Sequence, residues 1–219
     1  MIDAHRSAEA CKRLFKEWKG ILISDDYGTY KSWNKRQSCL AHKMRAAKKC
    51  AESADPVEAE CGKKLLKFFK RLSNLEGQEL TEQIEKSLIN TSWRLFTEYG
   101  DLPGKAGSLV KDLYINLSDH ILFLKEPLAS KTNNFAERMI RAAVCQRKIS
   151  FGSAADKGER WIERSLSVRK SCALNQLSYF KTLVDAIRSF QLHQKPDLQW
   201  ISKAGAMARN KFEALGRKH

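Results

Sequence analysis

Several features that would quickly narrow the function of a chain are missing from this one. No apolar stretch approaches the roughly 20 residues needed to cross a bilayer, so no membrane partner is expected. The opening residues, Met1-Ile2-Asp3-Ala4-His5-Arg6, carry no signal-peptide core. The six cysteines (Cys11, Cys39, Cys50, Cys61, Cys145, Cys172) show no paired C-x-x-C spacing. They read as buried thiols of a reducing cytoplasm rather than a disulfide framework, and a zinc site has only weak support. There is no internal repeat and no low-complexity segment. Acidic residues are scarce: 25 Asp and Glu face 40 Lys and Arg, for a net charge of +15. That surplus favours a polyanionic partner, nucleic acid ahead of an anionic membrane surface.

What is present is an ordinary globular balance, 30 % charged and 42 % hydrophobic over 219 residues, enough for one large domain or two small ones. Apolar residues at helical spacing predict a helix over 6–18, stopped at Gly20. Ile21-Leu22-Ile23 reads as a strand buried on both faces, as in a parallel sheet. Tyr27-Gly28-Thr29-Tyr30 reads as a turn, and 36–42 as a second short strand running into a basic helix over 43–53. From Pro56 to Tyr99 the pattern predicts a helical hairpin broken at Asn74-Leu75-Glu76-Gly77. After the loop Asp101-Leu102-Pro103-Gly104, Leu109, Leu113, Leu117, Ile121 and Leu124 predict one helix over 105–126, stopped by Pro127. Helices are expected over 133–145, 158–172 and 176–192, with a basic loop from Arg147 to Gly158 and a basic, frayed tail after Pro196 in which Trp200-Ile201 are the residues able to dock. The class is α+β and mostly helical, with its strands early.

Few residues carry chemistry. Asp25 and Asp26 end the first apolar run. Neighbours on a strand point to opposite faces, so both enter one site only if the chain has already turned; the competing role is an Asp cap on the turn. Glu137 opens a helix, and Asn134-Phe135-Ala136-Glu137 also matches a capping box with Asn134 at the cap. Arg138 and Arg141 lie one helical turn apart, suited to a phosphate backbone, a carboxylate, or simply solvent. Cys39-x-x-His42 closes the second strand; without two further ligands it is a weak metal signal, and a structural histidine is the plainer role. His120 on an apolar helix face reads as core. Arg147-Lys148-Ile149-Ser150-Phe151-Gly152-Ser153 interleaves charge with an aromatic, suited to phosphate contact plus base stacking or to an ordinary surface loop.

At these motifs the chain resembles the transposases of the insertion sequence sixty-six family. Arg6-Ser7-Ala8-Glu9 leading into Phe15-Lys16-Glu17-Trp18-Lys19-Gly20 is similar to the segment before that family's second catalytic strand. Leu22-Ile23-Ser24-Asp25-Asp26-Tyr27 resembles the strand itself, with Asp26 where a glycine is expected. Gln37-Ser38-Cys39-Leu40-Ala41-His42 resembles its C-x-A-H motif. Thr132-Asn133-Asn134-Phe135-Ala136-Glu137-Arg138 resembles its T-N-N-x-A-E-R signature, continued by Arg147-Lys148-Ile149-Ser150-Phe151-Gly152.

The resemblance spans about residues 5–190 and implies a DDE-type enzyme that cleaves and joins DNA strands with two Mg²⁺ (or Mn²⁺) ions. It implies Asp25 and Glu137 as catalytic metal ligands, Cys39, His42, Asn133 and Asn134 in support, and Arg138, Arg141, Arg147 and Lys148 on DNA. It implies a partial ribonuclease H-like core over 1–195, with two short parallel strands remaining, a helical insertion at about 55–126, C-terminal helices and a basic tail over 196–219. The family's first aspartate lies on an earlier strand for which Met1–Gly20 leave no room, so the expectation is a truncated enzyme, inactive alone. Its partners would be insertion-sequence ends and target DNA, with a homo-oligomer or a second chain supplying the missing strands, in the cytoplasm at the nucleoid. A non-catalytic basic DNA-binding module and a helical interaction protein are the alternatives.

Overall fold

In the computed structural model, Ser7 begins the described chain as a helix cap, its hydroxyl accepting the Ala10 N–H at 3.2 Å. Residues 7–150, 155–197 and 199–200 are described. They fall into two compact units, the larger within His5–Ile140 and the smaller within Arg141–His219.

In the larger unit α1 spans Ala8–Phe15 and stops at Lys16, which takes a positive φ of 46°. This is shorter than the periodicity predicts. Trp18 has left the helix, and its ring stacks on Trp33 at 5.3 Å with Phe15 alongside. Strand β1 is Leu22–Ser24 and β2 is Arg36–Ser38. They pair in parallel, with Leu22 opposite Arg36, Ile23 opposite Gln37 and Ser24 opposite Ser38. β1 is half-buried where burial on both faces was expected, and β2 is its one partner strand among the described residues. Between the strands the expected turn is a 3-10 helix, Gly28–Ser32.

The second strand ends earlier than predicted. α2 begins at Leu40 and runs to Ala51, with Cys39 as its cap, so the Cys39–His42 pair lies on the opening turn of a helix rather than at a strand's end. α3 (Pro56–Ser73) starts on Asp55, whose carboxylate accepts the Val57 and Glu58 N–H groups, with Pro56 at a position where a missing N–H costs nothing. α2 and α3 pack tightly. Gly62 makes this possible, since a Cβ there would lie 2.2 Å from the Ala51 backbone nitrogen. α4 (Glu82–Tyr99) is capped by Thr81 and completes the predicted hairpin.

The single helix expected next is two. α5 is Gly104–Ile115 and α6 is Leu117–Lys125. The apolar spacing continues across the join, but Asn116 leaves helical geometry and donates its amide to Asp112 Oδ1 at 3.0 Å, a local bond that competes with the helix. The core is built by Leu40, Ala47 and Cys50 of α2, Cys61, Leu65, Phe68, Phe69 and Leu72 of α3, Leu88, Leu95 and Tyr99 of α4, Leu109, Val110 and Leu113 of α5, and Ile121 and Phe123 of α6. α7 then spans Asn134–Ile149, longer than predicted.

In the smaller unit, α8 (Asp156–Leu174) and α9 (Tyr179–Gln191) form a hairpin. It is fastened by the Ser165 and Tyr179 hydroxyls at 2.8 Å and by buried Cys172 against Thr182. Of the cysteines, Cys39, Cys50, Cys61 and Cys172 are buried as expected, whereas Cys145 is exposed. No helix of the described residues is long and apolar enough to cross a membrane. Phe151–Ser153 of the predicted basic loop, Ile201 and the tail beyond it lie outside the described residues.

Candidate functional site at the strand ends

The C-terminal ends of β1 and β2 gather the motifs that lie far apart in the chain. Cys39 donates its N–H to the Ser24 carbonyl at 2.9 Å, joining the end of one strand to the end of the other. Leu40, at the start of α2, donates to the Lys131 carbonyl at 2.9 Å. This satisfies an opening N–H of α2 that has no intrahelical acceptor, using the loop ahead of α7. Asn133 donates its N–H to Cys39 Sγ at 3.4 Å. His42 Nε2 stands 3.4 Å from Glu137 Oε1, both partly exposed. The first turn of α7 is thereby tied to the turn in which β2 becomes α2.

Asp25 follows β1 directly. The chain has already turned: Asp25 Oδ1 accepts the Tyr27 N–H at 3.2 Å, an Asx turn. Its carbonyl accepts the Ser24 hydroxyl at 3.0 Å and Arg36 Nη1 at 3.5 Å. Asp26 turns to a different task. Its Oδ1 accepts the Ser38 hydroxyl at 3.2 Å and pairs with Lys43 Nζ at 2.7 Å.

The expected capping box does not form in the expected register. Asn134 is already helical, and the Glu137 N–H bonds to the Asn133 carbonyl at 3.1 Å. The Glu137 carboxylate instead faces His42. Arg138 and Arg141 are exposed on α7. Arg147 and Lys148 are also exposed, but in the last turn of α7 rather than in a loop, because helical hydrogen bonding persists to Ser150 N–H on Gln146.

Beneath these residues lies a polar layer that apolar periodicity did not reveal. Lys43 is buried and pairs with Asp112 as well as Asp26. Asp112 also takes Lys31 at 2.6 Å and lies 3.4 Å from His120 Nε2. Burial raises the Asp112 pKa, but His120, Lys43 and Lys31 together outweigh it and hold the carboxyl well below its ordinary range. Burial lowers that of His120, as its expected core position implies. Arg36 of β2 is buried and grips Asp119 Oδ2 through Nε at 3.0 Å and Nη2 at 2.8 Å. Gln37 Oε1 accepts the Phe123 N–H at 2.8 Å, and its amide donates to the Ser38 and His120 carbonyls. One signal was available: Lys43 occupies the core stripe of Leu40, Ala47 and Cys50, where a cation has to find a carboxylate.

Two partly open carboxylates suit a hard divalent cation, which takes one or two protein carboxylates and fills its shell with water and phosphate oxygens. The buried His42 Nδ1 and Asn133 Oδ1 have no protein partner, which leaves hydrogen-bonding capacity at the site for water or ligand. Among the described residues no cluster of three or more His, Cys, Asp or Glu side chains forms a metal centre.

Compared with known families, residues 1–160 match the one described as Transposase IS66 family. No curated protein and no solved structure matches the chain.

Proposed function

Because the chain belongs to the IS66 family of transposases, we propose that it acts on DNA at the β1–β2 ends, with Asp25 and Glu137 as the acids of a DDE-type strand-cleavage and strand-transfer site. The supporting observation is the set of hydrogen bonds that carries the Glu137 turn to the end of the sheet on which Asp25 stands. In this reading the two parallel strands and the helices after them are part of a ribonuclease H-like core, α3 to α6 are its helical insertion, and the whole is one domain over 1–195 followed by a basic tail.

When bound, Mg²⁺ (or Mn²⁺) supplies Lewis-acid activation of the attacking oxygen and charge neutralisation at the scissile phosphate. The chain's own residues do the rest. Asp25 and Glu137 would hold the cation. His42 orients Glu137. Asn133 and Asn134 shape the opening of α7, and Cys39 fixes the loop before it. Arg138, Arg141, Arg147 and Lys148, all exposed, take DNA phosphates. Two carboxylates hold a cation more weakly than three, and the third acid implied by the resemblance is not assigned among the described residues. Strand transfer by this polypeptide alone is therefore expected to be slight, rising when a second polypeptide or a further copy completes the site. The working place is the nucleoid.

The test is Mn²⁺ titration of the folded chain, read by the loss of free-ion paramagnetic resonance. Asp25→Asn and Glu137→Gln should each weaken binding by roughly 10-fold or more, since a ligand should cost at least what an outer-shell partner does. Unchanged affinity in both variants would overturn the metal-site reading. The exposed arginines of α7 favour a second reading, a basic DNA-binding module without catalysis. It predicts salt-sensitive DNA binding that survives both substitutions, together with no Mn²⁺ affinity to lose.

A further inference from the structure

Lys43 is the one fully buried ammonium among the described residues, and both of its partners are carboxylates. Its stem rises from the core stripe of α2 between Leu40 and Ala47. Its head meets Asp112 of α5 on one side and Asp26 Oδ1, at 2.7 Å, on the other. Asp112 is also held by Lys31 at 2.6 Å and by the Asn116 amide at 3.0 Å, so Lys43 meets a carboxylate that has other anchors. Asp26 also binds Ser38 of β2. A single ammonium thus fastens the end of β1 to α2, to α5 and, through Asp26, to the end of β2.

We infer that Lys43 is a positioning residue: by gripping Asp26 it holds the Asp25–Asp26 turn rigid, so that the neighbouring Asp25 carboxylate is presented at the strand ends for a divalent cation. The inference rests on the Asp25–Glu137 reading above and extends it to residues that touch neither the cation nor DNA. Asp26 is drawn inward to Lys43 and Ser38, whereas Asp25 Oδ1 accepts the Tyr27 N–H, so the two neighbouring carboxylates are held by different partners within one turn. In this reading Asp26 acts as a tether, its Oδ1 committed to Lys43 and Ser38.

The experiment uses the full chain with Mn²⁺ as the probe. In the pair variant Lys43→Met with Asp112→Asn, no buried charge is left unpaired, and such replacements are often neutral for folding. Asp26→Ala removes the tether from its partly exposed end and serves if the pair variant does not fold. Either variant should keep the parent's circular dichroism, weaken Mn²⁺ by roughly 10-fold or more, the usual cost of losing an outer-shell partner, and speed amide exchange at Tyr27 in the metal-free protein. Parental Mn²⁺ affinity and parental Tyr27 exchange in a folded variant would overturn the inference while Asp25→Asn still weakened binding. If the parent binds no Mn²⁺, or Asp25→Asn binds it as the parent does, the site reading fails and this inference fails with it.

Discussion

His42 of α2 and Glu137 of α7 meet at 3.4 Å, Nε2 to Oε1, across the gap between two helix openings. Both side chains keep about a third of their surface or more in solvent, 32 % and 41 %. The contact therefore directs Glu137 more than it stabilises the fold. His42→Ala is expected to cost less than about 1 kcal/mol, as exposed pairs do. Thermal melts of parent and variant check this, and a large drop would assign His42 a core role.

Asp119→Ala should behave very differently. It strands the buried Arg36 guanidinium, which has two of its donors on that carboxylate. Breaking one side of a buried pair costs about 3–5 kcal/mol. Replacing both residues with apolar groups should recover most of the loss, and urea denaturation of the single and double variants measures it.

Gly62→Ala drives a methyl into the α2 backbone, 2.2 Å from the Ala51 nitrogen. Overpacking of this kind costs roughly 1–3 kcal/mol or more. The same substitution at Gly28, where a Cβ would meet nothing within 4 Å, is the control and should change stability by less than about 0.5 kcal/mol.

Acid should weaken the fold through His120. Its burial places the folded pKa below the ordinary 6.5. As pH falls through 6.5 the unfolded chain takes up a proton that the folded one refuses, so stability drops on the acid side and is complete above it. The facing groups Asp112, Lys43 and Phe69 do not reverse this. The slope from this group is at most about 1.4 kcal/mol per pH unit. Urea midpoints between pH 5 and 7.5 should show it, and His120→Gln should flatten it.

Deleting the Phe69 ring, fully buried on α3, should cost about 3–5 kcal/mol. Ile115→Ala, at 70 % exposure, should cost under about 0.5 kcal/mol. Chemical denaturation separates the two.

The core helices were legible in the sequence where they bury an apolar stripe at helical spacing, as Leu65, Phe68, Phe69 and Leu72 of α3 do. The same rule misread the α5–α6 join, since Leu113 and Leu117 keep the period while Asn116 breaks the backbone. Asp25 and Glu137 could be singled out by motif, and the hydrogen bonds through Cys39 and Leu40 explain how distant segments reach one sheet end. Beyond Lys43, which breaks the core stripe of α2, the polar layer was illegible because its members signal only in pairs. Neither Arg36 nor Asp119 looks like a core residue until the other is in place.

The same pairing limits how this strand can diverge. β2 is buried throughout, yet it is Arg36, Gln37 and Ser38, held by bonds rather than by oiliness. A lineage that swaps Arg36 for an apolar side chain must also discard Asp119, or pass through a poorly folded ancestor. These two positions should mutate in concert, so among related chains their joint substitutions would trace the packing of α6 on β2.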